Sequence, residues 1–157
     1  MEWRKTRDAA SALALILMFS FMLNYMWESV HEAFLYKVFK CMADTYVLMI
    51  LIASVYDAFI IAGIYLGIAV LWKDIIWLQK MRGAQIYAAC LAGLAIAAII
   101  EYRYALVTKE WSYTPLMPTV CGIGVSPLIQ LSTTGLLAFW LTRRVLYGKG
   151  GCQEKSV

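Results

Sequence analysis

The chain reads as an all-α integral membrane protein, a bundle of four membrane-spanning helices. Three observations predict this. Hydrophobic residues make up 62% of the 157 and charged residues only 15%, against about 45–50% and 25% in soluble domains. The apolar residues gather into four runs, each long enough to cross a hydrocarbon core of about 30 Å. Basic residues sit at the edges of these runs, where membrane orientation is set. That placement accounts for the net charge of +4 without nucleic acid. Tryptophans at 3, 27, 72, 77, 111 and 140 lie near run ends, as an interfacial belt requires.

The first span covers residues 9–27 and follows Arg4, Lys5 and Arg7. A basic start before an apolar run also describes a signal peptide, but this run is long. It leads into Asn24-Tyr-Met-Trp-Glu28 rather than a small-residue cleavage site, so an uncleaved span is expected. Residues 28–45 are mixed, a loop or a helix extension. The second span, 46–71, is long enough to tilt. Asp57 lies eleven residues into it, about 16 Å from its start and close to the midplane. Gly63 and Gly67 form a G-x-x-x-G spacing, which lets another helix approach.

Residues 72–83 form a charged turn, with the apolar stretch Ile75–Leu78 expected in the headgroup interface. The third span is 84–100, where Ala89, Gly93 and Ala97 make a small-residue stripe suited to the bundle centre. The fourth span is 120–141. Its glycines at 122 and 124 and Pro127 predict a kinked or unwound start, and Gln130, Ser132, Thr133 and Thr134 follow. Residues 1–147 form one domain, and 148–157 read as a disordered cytoplasmic tail. Cys41, Cys90, Cys121 and Cys152 contain no C-x-x-C pair, which excludes a zinc ribbon or a thioredoxin-like motif. Cys41 and Cys121 share one side of the bundle, where a disulfide would be feasible.

Four spans put both termini on one side. That side carries Arg4, Lys5, Arg7, Lys73, Lys80, Arg82, Arg143, Arg144, Lys149 and Lys155; the other carries Lys37, Lys40, Arg103 and Lys109. Ten against four places both termini in the cytoplasm. Glu28, His31, Glu32, Asp44, Glu101 and Glu110 then gather at the outer end, with Asp57 reached from there. On a continuing helix Asn24, Glu28, His31 and Glu32 share one face.

This cluster fits four readings. The first is acid–base chemistry on a membrane-soluble, isoprenoid-like molecule. Asp57 would hold the proton, Glu28 and Glu101 would be its partners, and Tyr25, Trp27, Tyr56, Trp111 and Tyr113 would line a pocket or stabilise a cation. The second is a small proton-coupled transporter, because an intramembrane Asp is a functional candidate by default. Four spans are few for one unless it forms a homo-oligomer. The third is a metal site at Glu28 and His31, the i, i+3 spacing of di-iron bundles. Such centres need two such pairs and His31 is the single histidine, so a di-iron centre is not expected, while a single ion held by Glu28, His31 or Glu32 with Glu101 or Asp57 stays open and no ligand set is assigned. The fourth is a structural or accessory subunit of a membrane complex, in which Asp57 accepts bonds from Ser132 or Thr133. No cofactor is named by the sequence.

Several segments together resemble an uncharacterised family of small bacterial multipass membrane proteins. They are Asn24-Tyr-Met-Trp-Glu28, Asp57, Glu101, Trp111-Ser-Tyr113, Met117-Pro118, and the run from Gly122 to Gln130. The family patterns are N-x-x-W-E, then W-x-Y-x-x-x-M-P and G-x-G-x-S-P-L-x-Q. The chain departs after the third span, with Ile100-Glu101-Tyr102 where the family has S-E-W. The resemblance implies four spans and a bacterial inner membrane, and no reaction. It nominates Asn24, Trp27, Glu28, Asp57, Glu101, Trp111, Tyr113, Pro118 and Gln130. The expected site is built from Glu28, Asp57 and Glu101, with Asn24, Trp27, His31, Trp111, Tyr113 and Gln130 around a bound molecule.

Overall fold

The structure, a computed structural model, describes residues 2–37 and 43–148. Four helices carry the fold: α1 (Glu2–Leu35), α2 (Ala43–Trp72), α3 (Gly83–Glu101) and α4 (Val125–Tyr147). All four are long and apolar enough to cross a membrane, and the protein is an all-α multipass four-helix bundle. α1 packs against α2 and α4, and α3 lies mainly along α4.

α1 is built inside out relative to a soluble helix. Its buried face runs Ala12, Ile16, Ser20, Asn24, Glu28 and His31, while Met18, Met22, Met26, Val30 and Phe34 face outward. Lipid solvates methionine and valine readily, but polar groups must turn inward to find partners. The spacing of three and four keeps each set on one face. This stripe continues the helix to Leu35, so the segment after residue 27 is a helix extension.

α3 buries Gln85, Ala89, Gly93, Ala97 and Glu101, one residue per turn. The expected small-residue stripe is therefore the contact face. A methyl group on Gly93 would lie 2.9 Å from Ser132 Oγ and 3.1 Å from Ser132 Cα, so glycine sets the closeness of α3 to α4. Ser132 Oγ also donates to the Cys90 carbonyl at 2.8 Å across this contact. The G-x-x-x-G pair has no such role. Nothing lies within 4 Å of a Cβ built on Gly63 or Gly67, and both line an apolar groove between α2 and α3.

Other expectations are corrected by packing. Trp77 and Leu78 are not exposed to headgroups; they are 1% and 0% exposed, packed inside the protein in a 3-10 turn over Trp77–Lys80. Trp77 Nε1 donates to the Tyr65 carbonyl at 3.2 Å, and its ring stacks on Tyr65 and meets the edge of Phe139. The turn is thus the plug of the bundle end. α4 begins at Val125 rather than 120. Before it, β1 (Thr119–Val120) pairs antiparallel with β2 (Ile123–Gly124). Cys121 and Gly122 make the two-residue turn with φ of 53° and 80°, the positive values that tight hairpins demand. Pro127 sits in the first turn of α4, where its missing N–H has no helical partner to lose. The first residues of the expected span, 120–124, are thus non-helical, as the glycines predicted, and the helix proper runs on through Pro127. α4 also extends past 141 to Tyr147. The expected tail lies, from residue 149, outside the described residues, as do Cys41 and Cys152.

Candidate functional site

Three helices meet at one amide. Gln130 Nε2, on α4, donates to Glu28 Oε1 of α1 at 2.5 Å and to Asp57 Oδ2 of α2 at 2.9 Å, and lies 3.2 Å from Asn24 Oδ1. An amide nitrogen has two hydrogens, and the two shorter contacts claim them. Asn24 is served otherwise: Thr134 Oγ1 donates to its Oδ1 at 3.1 Å, and its Nδ2 donates to the Ser20 carbonyl at 2.9 Å. Glu28 and Asp57 thus accept from the same nitrogen, which draws the two carboxyl groups together. Asp57 therefore bonds to Gln130, not to Ser132 or Thr133. Thr133 bonds back to the Ile129 carbonyl within its own helix.

A second focus forms around Glu101, the last residue of α3. Tyr36 OH donates to its Oε1 at 2.7 Å, Tyr113 OH donates to its Oε2, and Trp111 Nε1 reaches Oε2 at 3.4 Å. These donors come from segments far apart in sequence, brought together by backbone pairing. Beyond Glu101 the chain continues as a π-helical segment, Tyr102–Val107. It then returns so that Tyr36 and Tyr113 form an antiparallel bridge. Lys37 N bonds to the Ser112 carbonyl and Thr114 N to the Leu35 carbonyl, each at 2.9 Å. Gly124 makes room: a Cβ there would lie 3.1 Å from both Tyr113 Cε1 and Met117 Sδ. Burial pushes the Tyr113 hydroxyl up to about 12, and its bond to Glu101 adds to this. Burial and the Glu101 charge also push the Tyr36 hydroxyl upward. Both phenols thus stay protonated near neutrality and hold Glu101 as an acceptor.

Both foci line one cavity of about 540 Å³, whose wall includes Glu28, His31, Tyr36, Tyr56, Asp57, Glu101, Tyr104, Trp111 and Gln130. Its volume suits a drug-sized apolar ligand. Among the described residues no Lys or Arg lines it. His31 is 3% exposed, with Nδ1 3.9 Å from Glu28 Oε2 and its ring edge-on to Tyr36. Neither ring nitrogen has a hydrogen-bond partner among the described residues. No third ligand joins Glu28 and His31: among the described residues no three His, Cys, Asp or Glu side chains are placed to hold a metal.

Of the residues nominated from the sequence, Glu28, His31, Asp57, Glu101, Trp111 and Gln130 come together on the cavity wall. Asn24 stands behind Gln130, and Tyr113 behind Glu101. Trp27 is separate, lining a different groove between α1 and α4. Tyr36, Tyr104 and Thr134 were not anticipated. Tyr104 was findable, since it lies one helical turn after Glu101. Tyr36 has no local signal, because a bridge to a residue 77 positions away places it. No known protein family, curated protein or solved structure matches the chain.

Proposed function

We propose that this is a membrane-embedded acid–base catalyst acting on an apolar, isoprenoid-like molecule, with Glu28 and Asp57 as the proton-holding pair. The observation that carries this reading is the Glu28–Asp57 carboxyl pair, bridged by Gln130 in an aromatic-walled cavity with no cationic lining residue among the described residues. The protonated member gives its proton to an alkene carbon, leaving a carbocation on the adjacent carbon. A neighbouring C–H then returns a proton to the pair, and its electrons form the new double bond. The step is redox-neutral: it isomerises the substrate, or cyclises it if a second alkene captures the cation first. Glu101 accepts three hydrogen bonds, which hold its carboxyl on the cavity wall as a stabiliser of the cation. The faces of Tyr56, Tyr104 and Trp111 add to that stabilisation.

The excess of basic residues at the termini side supports cytoplasmic termini. The resemblance to the small bacterial multipass family supports a bacterial inner membrane. The test is deuterium transfer. Proteoliposomes supplied with neutral isoprenoid lipids in D2O should place deuterium at a carbon of one lipid. Asp57→Asn and Glu28→Gln should each slow this by about 10²–10⁴-fold. Wild-type rates in both folded variants would refute the proposal.

A further inference from the structure

A second groove lies on the lipid-facing side of the site. It has a volume of about 480 Å³ and runs between α1 and α4, lined by Met26, Trp27, Val30, His31, Thr133 and Leu137 among others. Met26, Val30 and Leu137 are exposed and apolar, so the groove opens to acyl chains. Its inner wall is different. Trp27 Nε1 is buried with no acceptor among the described residues, and His31 has two buried nitrogens with no partner. An indole N–H only donates, and leaving it unpaired away from water is destabilising. The two side chains are one helical turn apart and in edge contact at 6.5 Å. His31 lines this groove and the carboxylate cavity alike, so its ring is the partition between them.

We propose that this groove is the portal by which a neutral isoprenoid lipid enters from the bilayer, with Trp27 Nε1–H and His31 receiving its carbonyl or hydroxyl oxygen. This rests on the acid–base reading and adds the substrate class and the route. Charge selects the neutral head group. Among the described residues no Lys or Arg lines the groove or the cavity, while Glu28, Glu32, Asp57 and Glu101 line the cavity. A phosphate or diphosphate would meet carboxyl groups without a counter-charge. Thr133 adds a hydroxyl to the same wall.

The test uses the full chain in nanodiscs and three photoactivatable diazirine probes: an isoprenoid alcohol, its monophosphate, and phosphatidylcholine with a labelled acyl chain. Crosslinked residues are mapped by peptide mass spectrometry. The alcohol should label Met26, Val30 or Leu137 more strongly than either other probe. Trp27→Phe, which keeps an aromatic ring and loses the donor, should weaken that labelling by about 2- to 10-fold. Leu137→Trp, a substitution at an exposed position, should block it by filling the groove. Equal labelling by the monophosphate or phosphatidylcholine overturns the proposal, as does wild-type labelling in both variants. Asp57→Asn separates the two ideas. It should keep groove labelling and lose deuterium transfer. Unchanged transfer there refutes the acid–base reading alone. Unaltered labelling in the groove variants, with transfer still dependent on Asp57, refutes the portal alone.

Discussion

Replacing Gln130 by leucine removes the donor that joins three helices while nearly keeping the side-chain volume. Glu28 Oε1 and Asp57 Oδ2 lose bonds of 2.5 and 2.9 Å. A buried acceptor left unsatisfied costs about 1–3 kcal/mol, whereas hydrogen bonds between membrane helices average about 0.6 kcal/mol in double-mutant cycles. Two such bonds bracket the loss at about 1–6 kcal/mol. Reversible unfolding in mixed micelles with increasing SDS measures it. A cycle with Asp57→Leu sharpens the result, because the double variant removes donor and acceptor together and should regain part of the loss. If Gln130→Leu shifts stability by less than about 0.5 kcal/mol, or the two substitutions add without coupling, Gln130 is not the bridge and the site needs another organiser.

Three more outcomes follow from the geometry. Gly93→Ala drives a methyl group to 2.9–3.1 Å of Ser132 and should destabilise the α3–α4 contact by about 1–3 kcal/mol in the same unfolding assay; wild-type stability would mean the helices separate freely. The Tyr113 hydroxyl is raised from 10.0 to about 12, so folding favours its protonated form. Stability from this group is complete below pH 10 and falls as pH rises from there to about 12. Tyr113→Phe should flatten that limb of the stability profile, and an unaltered slope would count against the Tyr113–Glu101 contact. Topology reporters fused after Lys37 and after Gly148 should report opposite sides of the membrane, with the latter cytoplasmic; the same side for both would break the four-span arrangement.

Hydropathy made the helices legible because each run had to be apolar to cross lipid, and the stripe of Ala89, Gly93 and Ala97 already marked the contact face of α3. Gly63 and Gly67 carried the same pattern without the contact, since spacing alone does not say which face meets a neighbour. The hairpin before α4 was obscured because Thr119–Gly124 is as apolar as the span it precedes. The place of Trp77 beside lysines gave no sign that the turn folds it onto Tyr65 and Phe139.

The site was legible as a set of residues and illegible as a set of bonds. Glu28, Asp57 and Glu101 were traceable to one end of the bundle from helix register and charge asymmetry. That Gln130 rather than Ser132 or Thr133 serves Asp57 depends on the rotation of α4 about its axis, which no local pattern encodes. Trp27 illustrates the same limit. It adjoins Glu28 in sequence, but one residue is about 100° around a helix, and the two side chains line different cavities. Tyr36 acquires its place only when the segment around Tyr113 pairs with it.

The most direct measurement of the central claim is native mass spectrometry of the wild-type protein released from mild detergent, with lipids extracted and identified from the same sample. The account predicts a neutral, apolar isoprenoid-like molecule retained at near one per chain, with its oxygen limited to carbonyl or hydroxyl groups. Chains that release no such molecule, and that carry a second protein instead, would contradict it and make this bundle an accessory subunit.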